Sequence, residues 1–417
     1  MKTAWDLLVI GAGPAGMMCA GTAAAQGMTV AVLEGNSRPG RKLMITGKGR
    51  CNLTNLCDPE DFLSSVRRNP RFLYSAIHAL TPRDTMAFFE TLGVGLKVER
   101  GNRVFPRSHR AVDVVDALAR YVRASGAAFI HDTVLKVDRD SGGLFAVTAA
   151  GRTLRGGAVV VATGGLSYPA TGSTGDGYRF AEALGHRVVP PAPSLVPIVA
   201  KESWCKELAG LALKNVTLSV RAADGGKTVF SELGEMLFTH FGLSGPLVLS
   251  ASSHIEEAPS RYRIAIDLKP GLTPPQLDAR LLRDFSAAQN RNFSNALEAL
   301  LPRSLIPVIV KLSGIPPTQK VNVITKEQRA SLLALLKELP ITPAAFRPVG
   351  EAIVTSGGVD TAQIDPKTMQ SRLVPGLYFA GEVIDLDAYT GGFNLQIAFS
   401  TGYAAGLAAA RQRQKGS

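Results

Sequence analysis

DLLVIGAGPAGMMCAGTAAAQGMTVAVLE, residues 6–34, carries the signature of a strand, a helix and a second strand in immediate succession. Leu7 to Ile10 are continuously apolar, as in a central parallel strand covered on both faces. Gly11, Gly13 and Gly16 follow as G-x-G-x-x-G and open a small-residue helix over 15–26, with Ala15 in its first turn. Gly27 breaks that helix, 29–33 form a second apolar strand, and Glu34 closes it. In such a unit the first glycine permits the tight turn and the second lets backbone approach a pyrophosphate. The third lets the helix lie close on the strand. The helix N-terminus offers free N–H groups and partial positive charge to phosphates. Glu34, 18 positions after Gly16, is placed to take the hydroxyls of an adenosine ribose, and an acid there disfavours a 2′-phosphate. A bare glycine motif also marks ordinary turns. Here strand, helix, second strand and acid all fall in place, and the stretch predicts a dinucleotide site.

The bulk composition narrows the class. A chain of 417 residues suggests two or three domains, and 46% hydrophobic residues is globular rather than disordered. No run approaches the ~18 apolar residues of a membrane helix. Lys2 before an apolar run superficially resembles a signal peptide, but Asp6 and the Gly-Pro interruption argue against one. Cys19, Cys51, Cys57 and Cys205 are scattered without C-x-x-C or histidine partners, so neither a metal site nor a disulfide scaffold is expected, and the protein reads as cytoplasmic. A formal charge of +12 is unusual for a small-molecule oxidoreductase. It reads either as a solvated basic surface or as attraction for a polyanion such as RNA.

Directly after Glu34, residues 38–55 (RPGRKLMITGKGRCNLTN) hold Arg38, Arg41, Lys42, Lys48 and Arg50 with no acid among them. Beside a bound dinucleotide such a loop would clamp the pyrophosphate and border the reactive ring; otherwise it is a basic surface loop. Cys51 is its one group with proton-transfer chemistry, and Arg50 beside it would favour the thiolate. The plainer reading is a small packed residue. Residues 61–92 read helical, with Thr81-Pro82 opening a second helix, and Arg67, Arg68 and Arg71 as a solvated face. A strand pair around Gly101-Asn102, a helix over 111–124 with Ser108 as its N-cap, and strands at 127–137 and 144–149 follow. Residues 158–165, AVVVATGG, form a buried strand whose Thr163, Gly164 and Gly165 lie at the carboxyl edge, where doubly wound folds bind ligands. The glycine-rich 171–177 opens a helix without directly following a strand, so it is not a second fingerprint.

From Pro190 the composition changes: 216–220, 228–231 and 262–268 read as strands without α/β alternation. His240 and Ser244 sit there in a Gly-Pro loop. His240 is a candidate substrate contact or proton donor, although a loop histidine is more often structural. Residues 274–339 turn helical and carry Arg280, Arg283, Arg291, Arg303, Lys311 and Lys320. These are a possible RNA surface or, more plainly, snorkelling surface cations. The chain then returns to the first domain through GLYFAGE, 376–382, an apolar strand ending in Gly381-Glu382. Asp385 follows, then Gly391, Gly392, Phe393, Asn394 and Leu395 at the start of an Ala-rich helix. Strand, acidic turn, glycines and helix N-terminus suit the developing negative charge of a reduced flavin, with Glu382 and Asp385 bonding ribityl or ribose hydroxyls. This return favours FAD over NAD as the bound cofactor.

Five stretches in order, DLLVIGAGPAG, GRKLMITGKGRCNLTN, VVVATGGLSYP, LFTHFGLSGP and GLYFAGEVIDLDAYTGGFNLQ, resemble the BaiN/RdsA-type NAD(P)/FAD-dependent oxidoreductases, a family that includes aminoacetone oxidase-like enzymes. The resemblance runs nearly end to end. It implies an α/β, Rossmann-like FAD domain from both chain ends (1–192 and 348–417), an inserted β-barrel-like region (193–272) and a helical subdomain (273–347). It also implies that Val134 holds adenine through its backbone. The expected activity is NAD(P)H-linked reduction of an activated C=C bond, with FAD tightly bound, NAD(P)H docking transiently, and Cys51 or His240 as proton donor. Uridine reduction in ribosomal RNA and O₂-dependent amine oxidation are the alternatives, each distinct from a non-catalytic flavin-binding module.

Overall fold

A computed structural model describes residues 4–416, leaving Lys2 outside the described residues. Chain contacts divide it into two compact units: the segment up to Ser194 together with Val349 onward, and Leu195–Pro348.

The first unit is built on a seven-stranded sheet. Trp5–Ile10 lies at its centre, parallel to Val30–Glu34 on one side and to Thr153–Val161 on the other. Ala128–His131 extends the first side, and Leu377–Phe379 pairs in parallel with the last three residues of Thr153–Val161. Phe145–Ala149 and Val134–Arg139 complete it as an antiparallel hairpin. Leu7, Leu8 and Val9 have no exposed surface, as a strand covered on both faces requires. The first helix runs Pro14–Ala25, with Gly13 as N-cap and no side-chain cap. Gly11 takes φ +98°, and a Cβ there would meet the Ala162 carbonyl oxygen at 2.6 Å. A Cβ on Gly16 would run into the Gly11 carbonyl oxygen.

The C-terminal helix, Phe393–Gly416, packs along Pro14–Ala25. Its stripe of small residues makes this approach possible. A Cβ on Gly402 would collide with the backbone of Ala15, and one on Gly406 would lie 2.6 Å from the Cys19 carbonyl oxygen. Gln396 anchors the same helix through a buried network. Its Oε1 accepts from the Thr54 hydroxyl at 2.6 Å, and its Nε2 reaches the Leu80 carbonyl at 2.9 Å and Thr85 Oγ1 at 2.8 Å. Pro82–Thr91 begins at Thr81 with a capping box closed by Asp84, as Thr81-Pro82 foretold. The helix Ala111–Ala124 is capped by Arg110 backbone rather than by Ser108, whose hydroxyl accepts from the Arg110 N–H at 3.4 Å. A small antiparallel sheet orders Thr54–Asn55, Arg103–Pro106 and Leu96–Glu99. Val188–Ser194 pairs with Val354–Val359, the two strands that flank the second unit in the sequence.

The second unit has its own seven-stranded antiparallel sheet. Its order places Leu339–Ile341 at one end and Pro343–Phe346 at the other. Only Thr342 separates these strands in sequence, so the sheet curls back on itself in the manner of a barrel. The helices Pro274–Ala287, Ile306–Ser313 and Lys326–Lys337 share one core with those strands: Leu281, Ile309 and Leu336 lie in the same buried cluster as Leu218, Phe238 and Ile266. The β-rich and helical stretches, expected as separate regions, therefore form a single unit.

Replacing Gly402 or Gly406 with valine should force the two helices of the first unit apart and destabilise it by about 1–3 kcal/mol. Thermal unfolding followed by circular dichroism reads this as a lowered midpoint for each variant. An unchanged midpoint would contradict the tight approach.

Candidate active site

The carboxyl edge of the central strands gathers most of the anticipated residues. Nothing lies within 4 Å of the position a Cβ on Gly13 would take, so the turn into the first helix keeps an open backbone face. Thr163, just past the end of Thr153–Val161, has a buried hydroxyl with no hydrogen-bond partner. Open glycine, uncapped helix and unpartnered hydroxyl fit the diphosphate and sugar of a dinucleotide. The Glu34 carboxylate is held in place from its own loop. It accepts from the Ala12 N–H at 2.8 Å, the Asn36 N–H at 2.9 Å and Asn36 Nδ2 at 2.7 Å. Arg41 donates to Asn36 Oδ1 at 2.9 Å, which links it indirectly to Glu34. Glu34 registers with His131, and Asp132 N–H donates to the Glu34 carbonyl at 3.1 Å. Val134, two residues further on, thus comes to the same edge.

Lys42 and Glu382, 340 residues apart, meet at 2.6 Å, both mostly buried. Ser167 hydrogen-bonds the Lys42 ammonium and also donates to Glu382 Oε1 at 3.1 Å. The Thr355 N–H donates to that same oxygen at 2.9 Å, while the Thr355 hydroxyl accepts from the Leu166 and Ser167 N–H groups at 2.8 and 3.1 Å. A charge pair this well bonded is held rigidly, because both Glu382 oxygens are bonded and the Lys42 ammonium reaches two acceptors. Gly164 and Gly165 lie beside it. A Cβ on Gly165 would touch Thr355 Oγ1 at 2.5 Å, and one on Gly381 would meet the Ala15 methyl at 2.8 Å. Ser167 lies in the stretch VVVATGGLSYP without a local signal of its own, and Thr355 and Asn36 have none either, since only the fold brings them here.

One expectation about a side chain requires correction. Asp385, foreseen as a hydroxyl acceptor, is engaged by Arg68 at 2.7 and 2.9 Å and by Asn69 Nδ2 at 3.1 Å. Its carboxylate anchors the loop, and Arg68 is not a merely solvated cation. Asn394 likewise spends its side chain on the loop before the C-terminal helix: it accepts from the Ala388 N–H at 3.0 Å and donates to the Ala388 carbonyl at 2.8 Å. What remains for a ligand there is backbone. Gly392 reaches φ +103° against the Thr54 carbonyl, where no Cβ fits, and Phe393 and Leu395 begin a helix of 24 residues. Phe393 packs edge-on against Phe62 at 5.3 Å.

The basic loop turns most of its cations elsewhere. Arg38 pairs with Asp116 at 2.7 Å, and Arg50 pairs with Glu99 at 2.5 Å while lying over the Phe105 ring at 4.1 Å. Cys51 follows in the left-handed region at φ +60°, an unusual conformation for a residue with a side chain, held by its N–H to the Thr46 carbonyl at 3.0 Å. It has no exposed surface, and burial pushes its thiol up to about 12, partly offset by a hydrogen bond with Thr46. The expected thiolate is therefore wrong: desolvation outweighs Arg50, whose guanidinium faces Glu99 instead. His240 belongs to the second unit, exposed at the turn between Thr228–Thr239 and Gly242–Ser244, its ring against Phe241 at 5.0 Å.

Comparison with known proteins agrees with this architecture. Residues 5–408 match the family model described as HI0933-like protein Rossmann domain. A ribosomal RNA dihydrouridine synthase of Escherichia coli (strain K12) is 35% identical over 402 residues, 96% of each chain. A 3-dehydro-bile acid delta(4,6)-reductase of Clostridium scindens is 30% identical over 409 residues, 97% of this chain and 98% of the relative. The crystal structure of 3-ketosteroid delta1-dehydrogenase from Sterolibacterium denitrificans shares the fold, with TM-score 0.52 and 13% identity over 99% of this chain and all of that one. With glycine turn, paired chain ends and carboxyl-edge cluster assembled on one Rossmann sheet, the chain belongs to the HI0933-like family of BaiN/RdsA-type flavoproteins and is an FAD-dependent oxidoreductase.

Proposed function

We propose that this enzyme reduces uridine to dihydrouridine in ribosomal RNA, drawing its electrons from NAD(P)H. The observation that carries this reading is the near full-length likeness to the Escherichia coli ribosomal RNA dihydrouridine synthase. The C5=C6 bond of uracil is conjugated to a carbonyl, so it is an activated C=C bond of the kind the sequence motifs anticipate. Bound FAD supplies the hydride for C6, and a proton must reach C5.

The chain's own residues serve binding and proton supply. The turn of Gly11, Gly13, Ala15 and Gly16, open at Gly13, would accept the diphosphate, Glu34 and Arg41 would fix the adenosine sugar, and the Val134 backbone would meet adenine. Thr163, Gly164, Gly165, Lys42, Gly381 and Glu382 would line the middle of the cofactor. Lys42 presents positive charge there while Ser167 and Thr355 prevent Glu382 from swinging away. The backbone at Gly392, Phe393, Asn394 and Leu395 would hold the ring of a bound flavin at the helix N-terminus, whose partial positive charge suits an anionic group. Cys51 holds a proton at Sγ throughout the neutral range and is the first candidate donor to C5, a role that needs the thiol and also a movement of its loop, because the side chain has no exposed surface. His240 is the second candidate donor. Reduction of a small enone is the second reading, favoured by the 30% identity to the bile acid reductase.

Anaerobic incubation of the FAD-loaded protein with NADPH and unmodified ribosomal RNA, then nuclease digestion and mass spectrometry, should yield a uridine heavier by two hydrogens. Untouched RNA together with rapid reduction of a steroid enone would favour the small-molecule reading. The Cys51→Ala variant should keep its flavin and lose about 10²–10⁴-fold in turnover, the range of general acid catalysis. Because the Cys51 thiol sits at about 12, native protein should resist iodoacetamide at pH 8 at this position, and the rate should show no alkaline limb near the ordinary thiol pKa. A limb near ~8.5 would contradict the buried, protonated thiol.

A further inference from the structure

Between Val94 and Arg110 the chain carries Lys97, Arg100, Arg103, Arg107 and Arg110 against one acid, Glu99. These residues form the hairpin Leu96–Glu99 and Arg103–Pro106, and Arg100, Arg103, Arg107 and Arg110 are exposed. Glu99 is shared by Arg50 at 2.5 Å and Lys97 at 2.8 Å, so it cannot offset the rest. Arg103 and Arg107 donate to backbone carbonyls, of Arg100 at 3.0 Å and Leu96 at 2.9 Å, which orients the guanidinium groups without neutralising them. Arg110 reaches Asp113 only at 3.8 Å. Lys48 lies exposed on the adjoining loop.

His109 provides a separate indication. Its Nδ1 faces Arg50 Nε at 2.9 Å and its Nε2 faces Lys97 Nζ at 2.7 Å. A neutral imidazole has one acceptor nitrogen and one N–H, so one of these contacts sets donor against donor. The cluster has more donors than acceptors, and an incoming phosphate oxygen would satisfy the excess.

The hairpin is also tied to the loop that bears the proposed proton donor. The Leu53 N–H donates to the Val104 carbonyl at 2.8 Å and the Leu56 N–H to the Asn102 carbonyl at 2.7 Å, while Arg50, next to Cys51, bonds Glu99 and His109. We infer that this basic hairpin, with Lys48 and Arg50, is the surface on which the phosphate backbone of the RNA docks beside Cys51. The inference rests on the RNA reading given above. From Arg103 to Arg107 the strand extends ~13 Å, which suits a run of successive phosphates better than a single anion. On the helical surface foreseen from composition Arg280 is held by Asp284 at 2.7 Å, while Arg303 and Lys320 are as uncompensated as the hairpin cations. The hairpin is favoured because it alone of the two is tied to the loop of Cys51.

The test is fluorescence anisotropy of the FAD-loaded protein with a labelled, uridine-containing RNA stem-loop across a salt series. The combined variant Arg100→Gln/Arg103→Gln/Arg107→Gln should bind at least ~10-fold more weakly and flatten the plot of log affinity against log salt by ~2, while Arg280→Gln/Arg283→Gln binds as wild type. Lysine acetylation footprinting of the unaltered protein gives an independent reading, with Lys48 and Lys97 protected by RNA. Equal affinity in the hairpin variant, unprotected Lys48 and Lys97, or preference for phosphatidylglycerol vesicles over RNA would overturn the assignment. Wild-type protein that reduces uridine although the hairpin variant binds normally removes the surface alone. Protein that grips RNA through the hairpin but reduces no uridine removes the catalytic reading alone, and protein that ignores the stem-loop removes both.

Discussion

The close approach of the C-terminal helix to the first helix is the contact on which the rest of the flavin unit depends. Gly402 lies against the backbone of Ala15 and Gly406 against that of Cys19, leaving no room for a side chain at either place. Ala15 lies in the first turn of the helix that follows the glycine motif, so the last helix buttresses that turn from behind. Gly381 completes the arrangement, since a Cβ there would meet the Ala15 methyl. Small residues are required because neither backbone can retreat: one is fixed by the parallel sheet and the other by the buried Gln396 network.

The electrostatics of the unit follow from how its acids are used. Asp385 answers Arg68, Glu382 answers Lys42, and Glu99 is divided between Arg50 and Lys97. Pairs formed across hundreds of residues fix loops that have little regular structure of their own, and their partial burial keeps them from being screened away. Uncompensated charge is left along the hairpin, where Arg103 and Arg107 bond carbonyl oxygens rather than acids. Positive charge is therefore concentrated next to the loop of Cys51 rather than spread evenly.

Much of this was legible before any coordinates. The unit over 6–34 could be read because every signal in it is local: each glycine, the apolar runs and the closing acid act on neighbours within a few residues. The return of the chain at 376–396 could be read for the same reason. Ser167 and Thr355 could not, because their role depends on Glu382 arriving from 215 and 27 residues away. Cys51 was misread through adjacency. Arg50 is next to it in sequence, but its guanidinium turns to Glu99, and burial sets the thiol instead. The Arg280–Asp284 pair was in principle visible from its four-residue spacing, which would have reduced the weight given to the helical cations. The curling of the second sheet depends on register between distant strands, which no local pattern records.

Because Ala15 is buttressed by residues far downstream in the sequence, the order of synthesis matters. The glycine turn leaves the ribosome long before the helix that supports it. Until then the early strands can pair only among themselves, with the sheet lacking its partner at 377–379 and the first helix uncovered on one face. The intervening unit, with its own core, is free to mature during that interval. A chain stopped before the helix Phe393–Gly416 would thus hold the entire nucleotide fingerprint without the support that packs behind it.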